Sequence, residues 1–231
     1  GHLVIAQSLL GISGDVLVFD IFVHLGTLVA VFIAFWQDIL ALLKRPWCRF
    51  TLLIIIACIP AALIGLFLDD LIAPLFSSVV AVAIALVITG VLLMISDRFD
   101  GRKAIADMTY MDAAAIGLFQ GFAIVPGLSR SGSTIFGALL CGLKRADAAR
   151  FSFIISIPVI LGAAGKEIIG SVHAGMDLIT LPYFVGSFVA AITGYIAIRV
   201  FLKLLAKKQM RFFSYYVWLI AAIVFISRIF M

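Results

Sequence analysis

Charge is what this chain has least of. Only 13% of its 231 residues are Asp, Glu, Lys or Arg and 65% are hydrophobic, whereas a soluble domain is ~25% charged and ~45–50% apolar. So much apolar surface does not fit inside one water-soluble core, which makes a bilayer the natural solvent. Cysteine is equally sparse. Cys48, Cys58 and Cys141 form no CxxC and are odd in number, which excludes a disulfide scaffold and a thiolate zinc site and leaves them as small buried residues. The 12 acidic residues are not clustered in the way that holds Mg²⁺ or Ca²⁺. Asp97, Asp100, Asp107 and Asp112 read as a solvated linker and a helix start. The opening Gly1-His2-Leu3 has no basic n-region and no cleavage site, so it is not read as a signal peptide. It reads as beginning inside structure, with the expectation of further chain upstream. Net charge is +5, yet the basic residues lie between apolar runs. That distribution argues against a nucleic-acid partner and for membrane topology.

A helix needs ~20 apolar residues to cross ~30 Å of hydrocarbon. Six runs qualify, roughly 17–37, 50–68, 75–95, 150–168, 182–204 and 214–231. The stretch 112–143 differs, because Pro126 through Thr134 sets Gly, Ser and Arg between apolar flanks. Helix, polar loop and returning helix fit this pattern, and such backbone is tolerated at membrane depth only where protein or a wet cavity surrounds it. Four linkers, 44–49, 98–103, 144–150 and 203–211, carry 13 of the 17 Lys and Arg. All four fall on one side, the cytoplasmic one, if 112–143 returns to the side it started from. A full crossing would scatter them.

The halves resemble each other. Gly1 through Gly11 lines up with Gly132 through Gly142, and each run is followed by an acid and then Phe four residues later, Asp15 and Phe19 in one half, Asp147 and Phe151 in the other. Three spans follow each copy, so the second copy is inverted relative to the first. The expected architecture is therefore an all-α polytopic membrane protein of six spans plus re-entrant helix hairpins, in two inverted repeats, 1–111 and 112–231. Broken helices meeting near the midplane of such repeats form a polar site.

The chemistry concentrates in Pro126-Gly127-Leu128-Ser129-Arg130-Ser131-Gly132-Ser133-Thr134. An arginine at membrane depth costs ~2.5–3.5 kcal/mol even on the lenient insertion scale, so it requires a partner or a task. Hydroxyls at 129, 131, 133 and 134 surround it, and Gly127 and Gly132 let backbone N–H groups converge. A helix starting nearby turns its positive end to the loop. All of these groups are donors, so an anion is the shared target, and phosphate suits the planar guanidinium fork. The competing reading pairs Arg130 internally with a carboxylate or carbonyls. A P-loop is excluded, since no Lys follows Gly132 and no strand precedes Gly127.

His2 occupies the position equivalent to Ser133 in the repeat, where an imidazole facing phosphate could act as nucleophile or general acid/base. Gln120 either lines the cavity or bonds a neighbouring helix. Asp20, His24 and Thr27 form a stripe on one helix face, answered by Ser152 and Ser156, and read first as interhelical hydrogen bonding.

The run Gly117-Leu118-Phe119-Gln120-Gly121 with Pro126 through Thr134 resembles the signature of the undecaprenyl-diphosphate phosphatase family, also known for bacitracin resistance. Gly1-His2-Leu3 is similar to the tail of that family's other motif, and Phe19-Asp20, His24 through Thr27, Phe151 through Phe153 and Pro158 are similar to its flanking helices. The resemblance implies a multi-pass enzyme of the bacterial inner membrane. Its expected reaction removes the terminal phosphate of undecaprenyl diphosphate at the outer face, recycling the lipid carrier for cell-wall synthesis. Carried over by position, Ser129, Arg130, Ser131 and Thr134 would hold the diphosphate, with Gly127, Gly132, Ser133 and Gln120 beside them, and His2 would be nucleophile or proton donor. The resemblance also implies a divalent cation, Mg²⁺ or Ca²⁺, whose carboxylate ligands would precede residue 1. It leaves room for a homo-oligomer. The alternative reading is a transporter or flippase for a phosphorylated lipid or solute, since inverted repeats with broken helices are common there.

Overall fold

Where no water can satisfy the backbone, apolar segments fold into helices that bond within themselves. The computed structural model describes His2, Ile5 and residues 16–173 and 181–229, and regular structure in them is helical. In chain order the helices are α1 (Val16–Ala34), α2 (Trp36–Lys44), α3 (Arg49–Phe67), α4 (Asp69–Ser77), α5 (Val79–Ser96), α6 (Tyr110–Phe122), α7 (Arg130–Leu140), α8 (Arg145–His173), α9 (Leu181–Ala206) and α10 (Arg211–Ile229), with a 3₁₀ turn at Ile105–Asp107.

Four of these are long and apolar enough to cross a membrane: α3, α5, α8 and α9. The expected span 17–37 is instead broken. α1 stops at Ala34 and the chain bends 81° into α2; taken as one bent span, the pair brings the number to five. α10 is apolar only over the shorter stretch Arg211–Ser227. Its Leu219 and Ile223 are nonetheless more than half exposed, as are Phe188 of α9 and Leu66 of α3. Such large bare apolar faces suit lipid rather than water. The span expected from residue 75 begins at Val79, because Ser78 caps α5 by accepting the Ala81 N–H at 3.2 Å and α4 forms a separate short helix before it.

α1 packs along α9, α3 along α6, and α5 along α10; α7 lies among α5, α6 and α8. The α1–α9 contact is close because glycine permits it. A Cβ on Gly26 would stand 2.1 Å from the Ser187 carbonyl oxygen. Two members of the polar stripe beside it, His24 and Thr27, bond within their own helix rather than across helices. His24 Nδ1 lies 2.6 Å from the Asp20 carbonyl and Thr27 Oγ1 donates to the Val23 carbonyl at 3.0 Å, both on α1 itself. A hydroxyl or imidazole one turn from a carbonyl of its own helix finds that acceptor without any tertiary contact.

The basic linkers meet at one end of the bundle. Arg49 donates to the carbonyls of Ala106 and Met108. Arg150 pairs with Asp38. Lys208 Nζ lies 2.7 Å from Asp100 Oδ2, and this bond and charge hold the Asp100 carboxyl below the usual aspartate range. Asp97 accepts the N–H groups of Met210 and Arg211, each at 3.1 Å, and so caps α10. Arg145, buried, gathers the carbonyls of Ser96 (3.1 Å), Asp97 (3.1 Å) and Phe99 (2.6 Å). The hairpin α6–α7 closes on this end as well. The Lys103 N–H donates to the Gly142 carbonyl at 2.9 Å and the Lys144 N–H to the Lys103 carbonyl at 2.9 Å. Residues 103 and 144 are thus neighbours, so 112–143 goes in and comes back on the same side.

Arg145→Ala is expected to remove about 3 kcal/mol, the usual cost of breaking a buried charged network, and to lower the thermal midpoint in detergent. Lys208→Ala, whose partner Asp100 is exposed, leaves that midpoint unchanged.

Candidate functional site

The site is the turn 123–129 between α6 and α7. α6 starts from a capping box: Thr109 Oγ1 accepts the Asp112 N–H at 3.1 Å while Asp112 Oδ2 accepts the Thr109 N–H at 2.7 Å, an arrangement that supplies ~1 kcal/mol of helix stability. Lys103 pairs with the same carboxylate at 2.8 Å. From that basic end α6 runs 13 residues inward, ~20 Å at 1.5 Å per residue, and α7 runs 11 residues back, ~16 Å. The turn therefore lies deep in the bundle.

Its shape depends on α5. Gly127 has φ +97°, and a Cβ there would stand 2.5 Å from the Val82 carbonyl oxygen and 2.8 Å from Ala85 Cβ. Glycine is needed both for the left-handed backbone and for the approach. Two residues on, Ser129 caps α7, its Oγ accepting the Gly132 N–H at 3.1 Å. The N–H groups of Arg130 and Ser131, first in α7, have no acceptor among the described residues. Arg130, Ser131 and Ser129 are half-buried. Among the described residues no carboxylate or carbonyl bonds the Arg130 guanidinium. The internal pairing weighed from sequence is thus not found among them.

Thr134 and Gln120 stand behind the turn. Thr134, fully buried, donates to the Arg130 carbonyl at 2.8 Å and shares a hydrogen bond with Ser152 Oγ of α8. Ser133 and Gly132 are buried in the first turn of α7. Ser156 donates to the Phe153 carbonyl at 2.6 Å. Gln120, 1% exposed, donates through Nε2 to the Ala57 carbonyl of α3 at 3.3 Å, and its Oε1 is without a partner among the described residues. His2 is exposed and stacks on Tyr216 of α10, ring centroids 5.4 Å apart. Ile5 packs with Val82, Ala83 and Leu86 of α5 and Val217 of α10. His2 thus lies on the α10 side of the helix pair whose α5 face shapes the turn. The other residues of the repeat match at 1–11 lie outside the described residues.

Sequence reasoning missed Thr89, which touches the turn twice. Its signal was being, with Ser96, one of two polar side chains in α5. Groups of three or more His, Cys, Asp or Glu placed to hold a metal are absent among the described residues, and Asp38, Asp97, Asp100, Asp107 and Asp112 at the basic end already have cationic or N–H partners. The described residues thus offer no ligand set for a divalent cation.

A multi-pass α-helical membrane protein with a hairpin returning to its own side, and a donor-rich turn at its tip, is the class these features define. The chain belongs to the family described as bacitracin resistance protein BacA, which matches residues 1–223. It is 46% identical to the undecaprenyl-diphosphatase of Carboxydothermus hydrogenoformans over 99% of this chain and 89% of that protein. With the undecaprenyl-diphosphatase of Halothermothrix orenii it shares 41% identity over 98% and 89%, and with that of Methanococcus vannielii 37% over 95% and 88%.

Gly127→Ala is expected to cost ~1–3 kcal/mol, through positive φ and the Val82 carbonyl together. Gly142→Ala, at φ +83° but with open space around the added carbon, costs about 1 kcal/mol from the backbone alone. Thermal midpoints of the two variants in detergent check the difference.

Proposed function

We propose that the chain hydrolyses undecaprenyl diphosphate to undecaprenyl phosphate and phosphate, as the names of its relatives say of them, and so returns a lipid carrier to cell-wall synthesis. The observation that carries the reading is the Arg130 guanidinium, deep in an apolar bundle, half-buried and unpaired among the described residues, at the positive end of α7. Two guanidinium nitrogens would take two oxygens of the terminal phosphoryl group. The N–H groups of Arg130 and Ser131 and the hydroxyls of Ser129 and Ser131 would take the rest. In the reaction a water oxygen bonds to the terminal phosphorus and the bond from phosphorus to the bridging oxygen breaks, leaving the prenyl monophosphate. Charge gathering on the transferred group and the bridging oxygen is what these donors stabilise. His2 would serve either as proton donor to the bridging oxygen that leaves, or as nucleophile, its ring nitrogen first taking the phosphoryl group and the water oxygen then displacing that nitrogen from phosphorus. Thr134 and Gln120 support the turn from behind, and Gly127, Gly132 and Ser133 let it come close to the substrate.

The proposed setting is the bacterial inner membrane with six spans and hairpins in two inverted repeats, 1–111 and 112–231. The packing supports it, since α1 meets α8 and α5 meets α10, the partners a two-fold between the halves would pair. With the basic end cytoplasmic, a turn ~16–20 Å inward lies past the middle of a ~30 Å hydrocarbon layer, and so opens toward the outer face.

Phosphate release from a polyprenyl diphosphate by the full-length protein in detergent with divalent cation tests the proposal. Arg130→Ala is expected to lower turnover by ~10²–10³, the usual cost of a lost oxyanion donor. Arg130→Lys, keeping charge without the fork, also loses most activity, while Asp100→Ala does not. Unchanged turnover in Arg130→Ala would exclude this site, and lipid flux without hydrolysis would point to a transporter.

A further inference from the structure

We infer that Thr89 of α5 is a positioning residue for the phosphate-binding turn, an assignment that rests on the function proposed above. Its hydroxyl donates to the Gly127 carbonyl at 3.1 Å and accepts the Ser129 N–H at 3.0 Å, and the side chain is 2% exposed. One oxygen thus staples the two peptide groups that flank Leu128. Those groups decide where Ser129 Oγ points and where α7 begins, and therefore where the Arg130 and Ser131 N–H groups aim.

Only a side chain that both donates and accepts in one atom can do this, and the burial of Thr89 shields both bonds from solvent. Left without the hydroxyl, the Gly127 carbonyl and the Ser129 N–H would each be buried and unsatisfied, so the turn would move to find partners. α5 is held firmly on its other side. Trp218 of α10 donates to the Val87 carbonyl at 3.0 Å, and a Cβ on Gly90 would stand 2.1 Å from Trp218 Nε1. Ile5 packs on the same helix. Thr89 accordingly ties the turn to the α5–α10 pair, against whose Tyr216 the His2 ring stacks. A displacement of ~1 Å in such groups costs on the order of 10²-fold in rate.

The test compares Thr89→Val, isosteric but lacking the hydroxyl, with Thr89→Ser and Thr89→Ala in the full chain. Readouts are phosphate release from a polyprenyl diphosphate and inhibition by inorganic pyrophosphate. Ser96→Ala serves as control, since among the described residues Ser96 Oγ bonds only the Leu92 carbonyl of its own helix, at 2.8 Å. Thr89→Val is expected to lose tenfold or more in kcat with KM changed less than threefold, and to bind pyrophosphate at least threefold more weakly. Thr89→Ser stays within threefold of the parent, and Ser96→Ala matches it. Should Thr89→Val fail to fold, Thr89→Ala at least tenfold below Thr89→Ser carries the same meaning. Equal kcat in the hydroxyl-bearing and hydroxyl-free variants overturns the assignment of Thr89 and leaves the phosphatase reading standing. Absence of phosphate release from the parent protein overturns that reading instead.

Discussion

A guanidinium held deep in an apolar bundle with no carboxylate bonded to it, among the described residues, constrains everything nearby. Arg130 cannot give up its proton, and burying it is costly unless something negative arrives. Neighbours that would neutralise it permanently would also remove its purpose. The turn that carries it holds no acid: its neighbours in the chain are the first N–H groups of α7 and the hydroxyls of Ser129, which caps that helix, and Ser131. Under the function proposed above, an anion with several oxygens would stabilise this cluster.

Holding that cluster requires rigidity on two fronts. At the basic end, Arg145, Asp97, Lys103 and Asp112 tie the linkers to one another and close the base of the α6–α7 hairpin. At the tip, α5 shapes the turn through the space it denies to a side chain at Gly127 and through the Thr89 hydroxyl. Between these points α6 is pressed on α3, where Gln120 meets the Ala57 carbonyl. A Cβ on Gly117 would lie 2.5 Å from that same oxygen. The hairpin is clamped at the base, along one side and at the tip.

Much of this was legible without coordinates. Runs of apolar residues mark helices in lipid because the backbone has no alternative there, and α3, α8 and α9 begin and end within a few residues of where composition puts them. The return of 112–143 to its own side followed from charge, since a crossing would have divided the 13 linker cations. The 81° turn after Ala34 was not legible, because an apolar run continues through Phe35 and Trp36 and composition carries no direction. Nor was it legible that His24 and Thr27 bond carbonyls of their own helix: a polar side chain in a span needs a partner, and sequence does not say whether that partner is on another helix or one turn away.

By itself, then, the order of residues determined the chemistry of the site: which donors are present, that no acid stands among them, and that they sit in a break between two apolar helices. Those are local properties, set by residue type and spacing along the chain. Tertiary structure alone decided which of the hydroxyls remain open. Ser129 caps α7 by accepting the Gly132 N–H, Thr134 is consumed by Ser152, and Thr89, 40 residues from Ser129 in sequence, bonds the turn from α5. Saturation of a hydrogen-bonding group depends on what another helix brings within 3 Å or so, and that proximity exists only once the helices have packed.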